Sequence, residues 1–365
     1  MKRRPRSSLV LALVAASLAL SSCILDGGWA TTPIEPAPPG TDAAFVDVSC
    51  PTDNFCMAVG NTEVVTHTRP VTPFVQVWDG TSWSSLAFTP FASATTLGHE
   101  ARSVSCGTPT SCAVGYTWFS DEGEDQDAFA IWTGASWTAV PALSSQAPIA
   151  NHDCAPDGSC VFDVYDWGVV LWDGSTFTQD GLTFWASPAQ MVCESMTSCR
   201  GLSGASSLTW DGTAWSTVDD LPVPSTIWTG LACSSPTSCL AVGHTWSGES
   251  TPRSIRFDGT SWTEVALPIS GADRLRSLSC SSTISCFAVG TIAGDTSTAD
   301  QEVALAWNGG QWFRAPDPVT APDGSLAAVS CPPGGTTCIA VGSATVDGTT
   351  VPIASRYDWV DAPVA

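Results

Sequence analysis

A pair of cysteines separated by five residues recurs along this 365-residue chain: Cys50 with Cys56, Cys106 with Cys112, Cys154 with Cys160, Cys193 with Cys199, Cys233 with Cys239 and Cys280 with Cys286. A seventh pair, Cys331 with Cys338, is one residue wider. Successive pairs start 39 to 56 residues apart, and each is followed by the same two signals. The first is a short apolar run, as in Cys56-Met57-Ala58-Val59-Gly60. The second is a turn between aromatic residues, as in Trp78-Asp79-Gly80-Thr81-Ser82-Trp83. Asp-Gly between alternating apolar residues is a hairpin signal, because glycine supplies the positive φ of the turn. Each unit therefore reads as four short strands: one ending at Val-Ser-Cys, one starting at the second cysteine, and one on either side of the Asp-Gly turn. Units of this length, repeated seven times without long helical periodicity, predict an all-β, seven-bladed β-propeller with four-stranded antiparallel blades.

Two cysteines with five residues between them across a strand-turn-strand can face each other in the ladder. One hairpin disulfide per blade is the expectation, each worth about 2 kcal/mol on the chain-entropy model. Zinc knuckles need shorter spacings gathered in fours, and the pairs do not group that way. No metal ion and no cofactor is expected.

Residues 1–22 read as an export signal, with Lys2, Arg3, Arg4 and Arg6 ahead of an apolar core from Leu9 to Leu20. The core ends Leu20-Ser21-Ser22-Cys23, which resembles a bacterial lipobox; the resemblance implies that Cys23 is acylated and becomes the new N-terminus. The count of fifteen cysteines agrees, since Cys23 is the one left over by seven pairs. An oxidising compartment outside the cytoplasmic membrane suits the disulfides. Residues 23–41, rich in Pro, Thr and Gly, read as a lipidated tether, and residues 42–365 as the propeller. One ambiguity attends the ring closure. Asp26-Gly27-Gly28-Trp29 matches the fourth-strand start Asn308-Gly309-Gly310-Gln311-Trp312, while the last repeat stops shortly after Arg356-Tyr357-Asp358-Trp359. Either the N-terminal segment or Val360 to Val364 completes blade 7, and the need for Cys23 to reach a membrane favours the latter.

Loss of the signal, with its one Lys and three Arg, would take the net charge from −22 to −26. That balance opposes nucleic acid and anionic lipid surfaces as partners, leaving the lipid as the membrane attachment of a monomer. No Ser/His/Asp signature, paired metal histidines or phosphate loop is present, and the nine glutamates are scattered. Four positions before the first cysteine of a blade stand Val46, Arg102, Ala150, Ala189, Thr229, Arg276 and Ala327. With the first strand innermost, Arg102 and Arg276 would point to one end of the central channel and could hold an anionic group; pairing with some of the many acids is the simpler account. Most tryptophans belong to the repeat and read as packing between blades. Trp118, Trp167 and Trp246 lie outside it, after the second strand, where an aromatic ring can stack on a sugar or anchor a protein or pack at a loop base. The acidic run from Asp121 to Asp127 offers oxygens for Ca²⁺ without EF-hand spacing, and reads as a solvated loop. Long segments between second and third strands, residues 61–73 and 116–127, mark one face as the binding surface.

The stretch Ser103-Val104-Ser105-Cys106-Gly107 to Ser111-Cys112-Ala113-Val114 resembles the repeat of the regulator of chromosome condensation family, which forms seven-bladed propellers. It departs from that family at Trp-Asp-Gly-Thr-Ser-Trp and looks more generally like the exported Cys-paired propeller repeats of actinobacteria. The sialidase box Asp-x-Gly-x-Thr-Trp is one residue longer than the turn found in this chain. The expected function is a cell-surface lipoprotein whose propeller binds an envelope protein or glycan, with an exported glycoside hydrolase of sialidase-like type as the alternative. A propeller ring supports many unrelated activities.

Overall fold

The computed structural model describes residues 28–37, 41–64, 71–88, 96–120, 125–140, 149–164, 168–180, 188–246, 250–270, 274–292, 301–316, 318 and 324–359. They form seven four-stranded antiparallel sheets, each built from strands consecutive in sequence except the last. Blades 1 to 6 occupy residues 41–86, 96–139, 149–180, 190–220, 226–264 and 274–314. Blade 7 combines Ser325–Ser330, Thr337–Val346 and Thr349–Asp358 with the N-terminal strand Gly28–Thr31.

First strands contact one another all the way round the ring and line its channel. Seven apolar clusters lie between successive blades, not within them. One joins Phe45 and Trp78 of blade 1 to Ile339 and Val341 of blade 7; another joins Leu240 and Val242 of blade 5 to Leu305 and Trp307 of blade 6. A blade hides neither face alone, so the ring is the smallest unit that buries this surface.

A disulfide links the first and second strands of every blade, in the pairing that the spacing predicts. Cys50 is bonded to Cys56, Cys106 to Cys112, Cys154 to Cys160 and Cys193 to Cys199. Cys233 is bonded to Cys239, Cys280 to Cys286 and Cys331 to Cys338. Their Cα atoms lie 4.0–4.2 Å apart. Close opposition of this kind belongs to the non-hydrogen-bonded pairs of an antiparallel ladder. The N–H of the first cysteine therefore points away from its own sheet, into the channel, as on any free strand edge. The serine of Val-Ser-Cys answers it from the preceding blade. Cys106 N–H donates to Ser49 Oγ, Cys154 N–H to Ser105 Oγ, Cys331 N–H to Ser279 Oγ and Cys50 N–H to Ser330 Oγ, all at 2.9 Å. In blade 3 an aspartate stands in this place: Cys193 N–H donates to Asp153 Oδ2 at 2.7 Å, and Ser105 Oγ–H to Asp153 Oδ1 at 2.6 Å.

The Asp-Gly turns are self-contained. Asp79 Oδ1 accepts from the N–H groups of Thr81 and Ser82 and from Thr81 Oγ, and Asp173, Asp211 and Asp258 repeat the arrangement. Aromatic residues pair across each turn, as Trp78 with Trp83 (ring centroids 5.7 Å apart) and Trp307 with Trp312 (5.5 Å). Blade 7 makes the same pair from the two ends of the chain, Trp29 opposite Tyr357 at 5.3 Å. That pairing decides the closure. The stretch read as tether contains the closing strand, against the preference for Val360 to Val364, which lie outside the described residues. The aromatic slot beside Tyr357 needs a ring at the partner position, and Trp29 supplies it. Residues 32–37 then lace blade 7 to blade 1: Trp83 Nε1 donates to Thr32 Oγ1 at 3.0 Å, and Gln76 Nε2 to the Glu35 carbonyl at 2.8 Å.

Candidate functional site

The residue four before the first cysteine is displaced from the ladder. The pairing skips Val46, Arg102, Ala150, Thr229, Arg276 and Ala327, and in blade 4 Ala189 and Gln190 both oppose Leu202. These are β-bulges, which re-aim a side chain out of the alternation of the strand. The glycine of Ala-Val-Gly is their counterpart. A Cβ on Gly290 would collide with the carbonyl of Arg274, and one on Gly342 with that of Ser325, so the second strand is bare where the first one swells. The bulge residues whose side chains are described are exposed or half-exposed at the channel rim, while their neighbours alternate with buried positions. Both arginines singled out from the sequence thus stand on the same structural device.

What surrounds them differs. In blade 2 much of the segment between second and third strands is itself strand, through Ser111–Ser120 and Asp125–Trp132, in keeping with the β-forming run Tyr116-Thr117-Trp118-Phe119. Blade 3, with Cys160–Val164 and Gly168–Trp172, is short. The step between them encloses a cavity of about 350 Å³ on the long-loop face, within the size range of small-ligand pockets. Its wall is Arg102, Tyr116, Thr117, Asp127 and Phe129, and its floor Asn151, His152, Ala189 and Gln190 from blades 3 and 4.

Polar groups on the wall are held in a chain. Arg102 Nε donates to Thr117 Oγ1 at 3.1 Å, and that hydroxyl donates to Asp127 Oδ1 at 2.5 Å. Arg102 Nη1 meets Glu100 Oε1 at 3.2 Å, with 54% of the arginine side chain still exposed. The pocket therefore carries a fixed positive group beside a fixed negative one. In its floor, Asn151 accepts from His152 N–H at 2.8 Å and donates to the Ala189 carbonyl at 3.1 Å. His152 packs on Phe129 (4.7 Å between rings), with Nε2 3.3 Å from the Ala113 carbonyl. Burial pushes its pKa down to about 4, so the ring is neutral and serves as structure.

Among the other sequence candidates, Arg276 is exposed, with no side-chain partner among the described residues. Trp118 is half-buried in the blade 2 ladder, opposite His99 and Gln126. Trp246 is 75% exposed on blade 5, near the exposed Ile227. His244 lies close by; burial first, and the Arg274 charge second, lower its pKa. Trp167, Cys23 and residues 121–124 of the acidic run lie outside the described residues. No cluster of three or more metal-ligating side chains occurs among the described residues. The structure selects Thr117 and Asp127 from the long segment 116–127 and adds Asn151 and Gln190 to the site; only the spacing of the last two from the cysteine pairs of blades 3 and 4 marked them in the sequence.

No family model matches the chain, and no curated protein does. Solved structures do. One titled YCF48 bound to D1 peptide aligns over 91% of this chain and 97% of its own, at 13% identity and a TM-score of 0.53. A second, YCF48 from Cyanidioschyzon merolae, aligns over 89% and 98%, at 14% identity and a TM-score of 0.55. The likeness is one of fold. At this identity it carries no residue roles across.

Proposed function

We propose that the chain is an exported, non-catalytic binding module, held outside the cytoplasmic membrane by a lipid on Cys23, that takes an envelope protein or glycan at the Arg102 pocket. The observation that carries this reading is the pocket itself, polar and dipolar, at the channel rim in the step between a tall blade and two short ones. A protein segment is the favoured ligand, because backbone amides present an acceptor for Arg102 and a donor for Asp127 side by side. In the structure titled YCF48 bound to D1 peptide, a ring of the same fold holds a peptide. A sialidase-type hydrolase would need a tyrosine nucleophile, acidic residues and an arginine cluster; the described residues lining this pocket include one tyrosine, Tyr116, one arginine, Arg102, and one carboxylate, Asp127.

The test is capture from solubilised envelope by residues 24–365, a span that keeps the closing strand, produced in an oxidising host. Retention of a protein by the parent, with binding weakened at least tenfold in Arg102→Ala (about 1.4 kcal/mol) and unchanged in Trp246→Ala, is the expected result. Retained polysaccharide with new reducing ends would replace this reading with the glycosidase one.

A further inference from the structure

The direction of the strands fixes where an anchor enters the ring. In every blade the first strand descends to its cysteine, so all disulfide hairpin turns lie on one face. The Asp-Gly turns share it: a Cβ on Gly134 would meet Thr110, and one on Gly212 would meet Thr197, each from the disulfide hairpin turn of the same blade. The closing strand starts on this face as well. Gly28 pairs with Asp358, which on its other side pairs with Thr337 beside Cys338. From there the strand runs toward the long-loop face, reaching Ser355 at Thr31.

Five residue steps separate Cys23 from Gly28, a reach of at most about 17 Å when fully extended. The ten residues of Thr337–Val346 alone rise roughly 33 Å. A lipid on Cys23 cannot pass round the blade to the opposite face. Around the ring, three junctions separate blade 7 from blade 3 in one direction and from blade 4 in the other. The pocket floor is built from blades 3 and 4, on the long-loop face. Anchor and pocket thus occupy opposite faces and opposite sides of the ring.

We infer that the turn face of blade 7 is the membrane-proximal surface, and that the Arg102 pocket opens away from the bilayer to a partner approaching from the far side. This deepens the reading given above and rests on the lipid at Cys23. It restricts the partner to a soluble protein or a segment projecting from an outer layer, and excludes groups embedded in the anchoring bilayer. The turn face also carries Asp79, Asp173, Asp211 and Asp258, whose charge keeps that surface from adhering to anionic headgroups.

The experiment uses the full chain, exported and processed in a lipoprotein-producing host, beside Cys23→Ser. Intact mass comes first: an unacylated mature chain, or membrane retention of Cys23→Ser, removes the anchor and the orientation with it. With acylation established, a fluorophore is attached through an azide-bearing residue at Gln311, on the turn face, or at Ala189, on the pocket floor. Each protein is placed in vesicles carrying acceptor dye at the headgroups. Energy transfer several-fold stronger from Gln311 than from Ala189 is expected. Equal or reversed transfer from an acylated protein would overturn the orientation while leaving the anchor intact.

Discussion

The seven blade junctions are of two kinds. Five carry a side chain that accepts the first-cysteine N–H of the next blade: Ser49, Ser105, Asp153, Ser279 and Ser330. At the other two, between blades 4 and 5 and between blades 5 and 6, the same position holds Val192 and Ala232. Neither side chain can accept a hydrogen bond. Both of these junctions are crossed further out by an arginine: Arg200 lies over Phe257 at 4.1 Å and Arg256 over Trp307 at 5.9 Å. A crevice of about 100 Å³ remains between blades 4 and 5, lined by Val192, Cys233 and Arg200. The first-cysteine stitch thus runs along most of the circumference. At the junction of blades 5 and 6 the inner bond is made instead by Thr229 Oγ1, which donates to the Leu275 carbonyl at 2.7 Å. An arginine also crosses one stitched junction, Arg356 of blade 7 over Trp78 of blade 1 at 6.0 Å. A repeat protein tolerates such variation because each junction is a separate nearest-neighbour interface.

The difference can be broken from the stitched side. Ser105→Ala leaves Cys154 N–H without its acceptor and takes a donor from Asp153; a loss of about 1–3 kcal/mol is expected in urea unfolding. The corresponding truncation of Val192 to alanine affects packing alone and leaves no donor stranded.

A second experiment reads the carboxylate in the seam. Burial pushes the pKa of Asp153 up to about 6, against the pull of Ser105 and the backbone N–H of Cys193 and Cys154. Asp47, whose carboxylate accepts from Val48 and Val104 N–H, is pushed up to about 7 by burial. Both folded values exceed the unfolded value near 3.9. The folded ring therefore holds these protons more tightly, and the stability they give is complete below about pH 4 and lost as pH rises toward 6 and 7. Asp153→Asn should make the fall in Tm between pH 4 and 6 shallower than in the parent. An unchanged slope would place the titration elsewhere.

The smallest effect comes from adding a stitch. Ala232→Ser offers Cys280 N–H an acceptor at the place the other junctions have one, and a gain of about 0.5–1 kcal/mol is expected. A loss would show that this junction, already bonded through Thr229 Oγ1 and the Leu275 carbonyl, has no room for the added hydroxyl.

Blade count, strand order and disulfide pairing were legible in the sequence because they rest on local signals: cysteines on facing strands, and an Asp-Gly turn between aromatic residues. The role of Ser49 was not, since its partner Cys106 lies 57 residues away on another sheet. Closure was ambiguous for a related reason. Two apolar segments could fill the last strand, and the choice turns on an aromatic contact between Trp29 and Tyr357. Arg102 and Arg276 were equivalent by spacing and are equivalent by bulge. They part company through what stands beside them: Thr117 and Glu100 of its own long blade in one case, and no side-chain partner among the described residues in the other.

Blade 7, made from both ends of the chain, also sets an order of events during biogenesis. Every disulfide hairpin is local and can close as soon as its two strands meet. The closing strand emerges early and must wait: Thr32 finds Ala354 only after 322 further residues have appeared. Until then blade 7 does not exist and the apolar faces of blades 1 and 6 lie open. A ring of this design forms its staples first and its seal last, so a chain halted after Cys338 but before Ser355 would be fully cross-linked yet unable to shut.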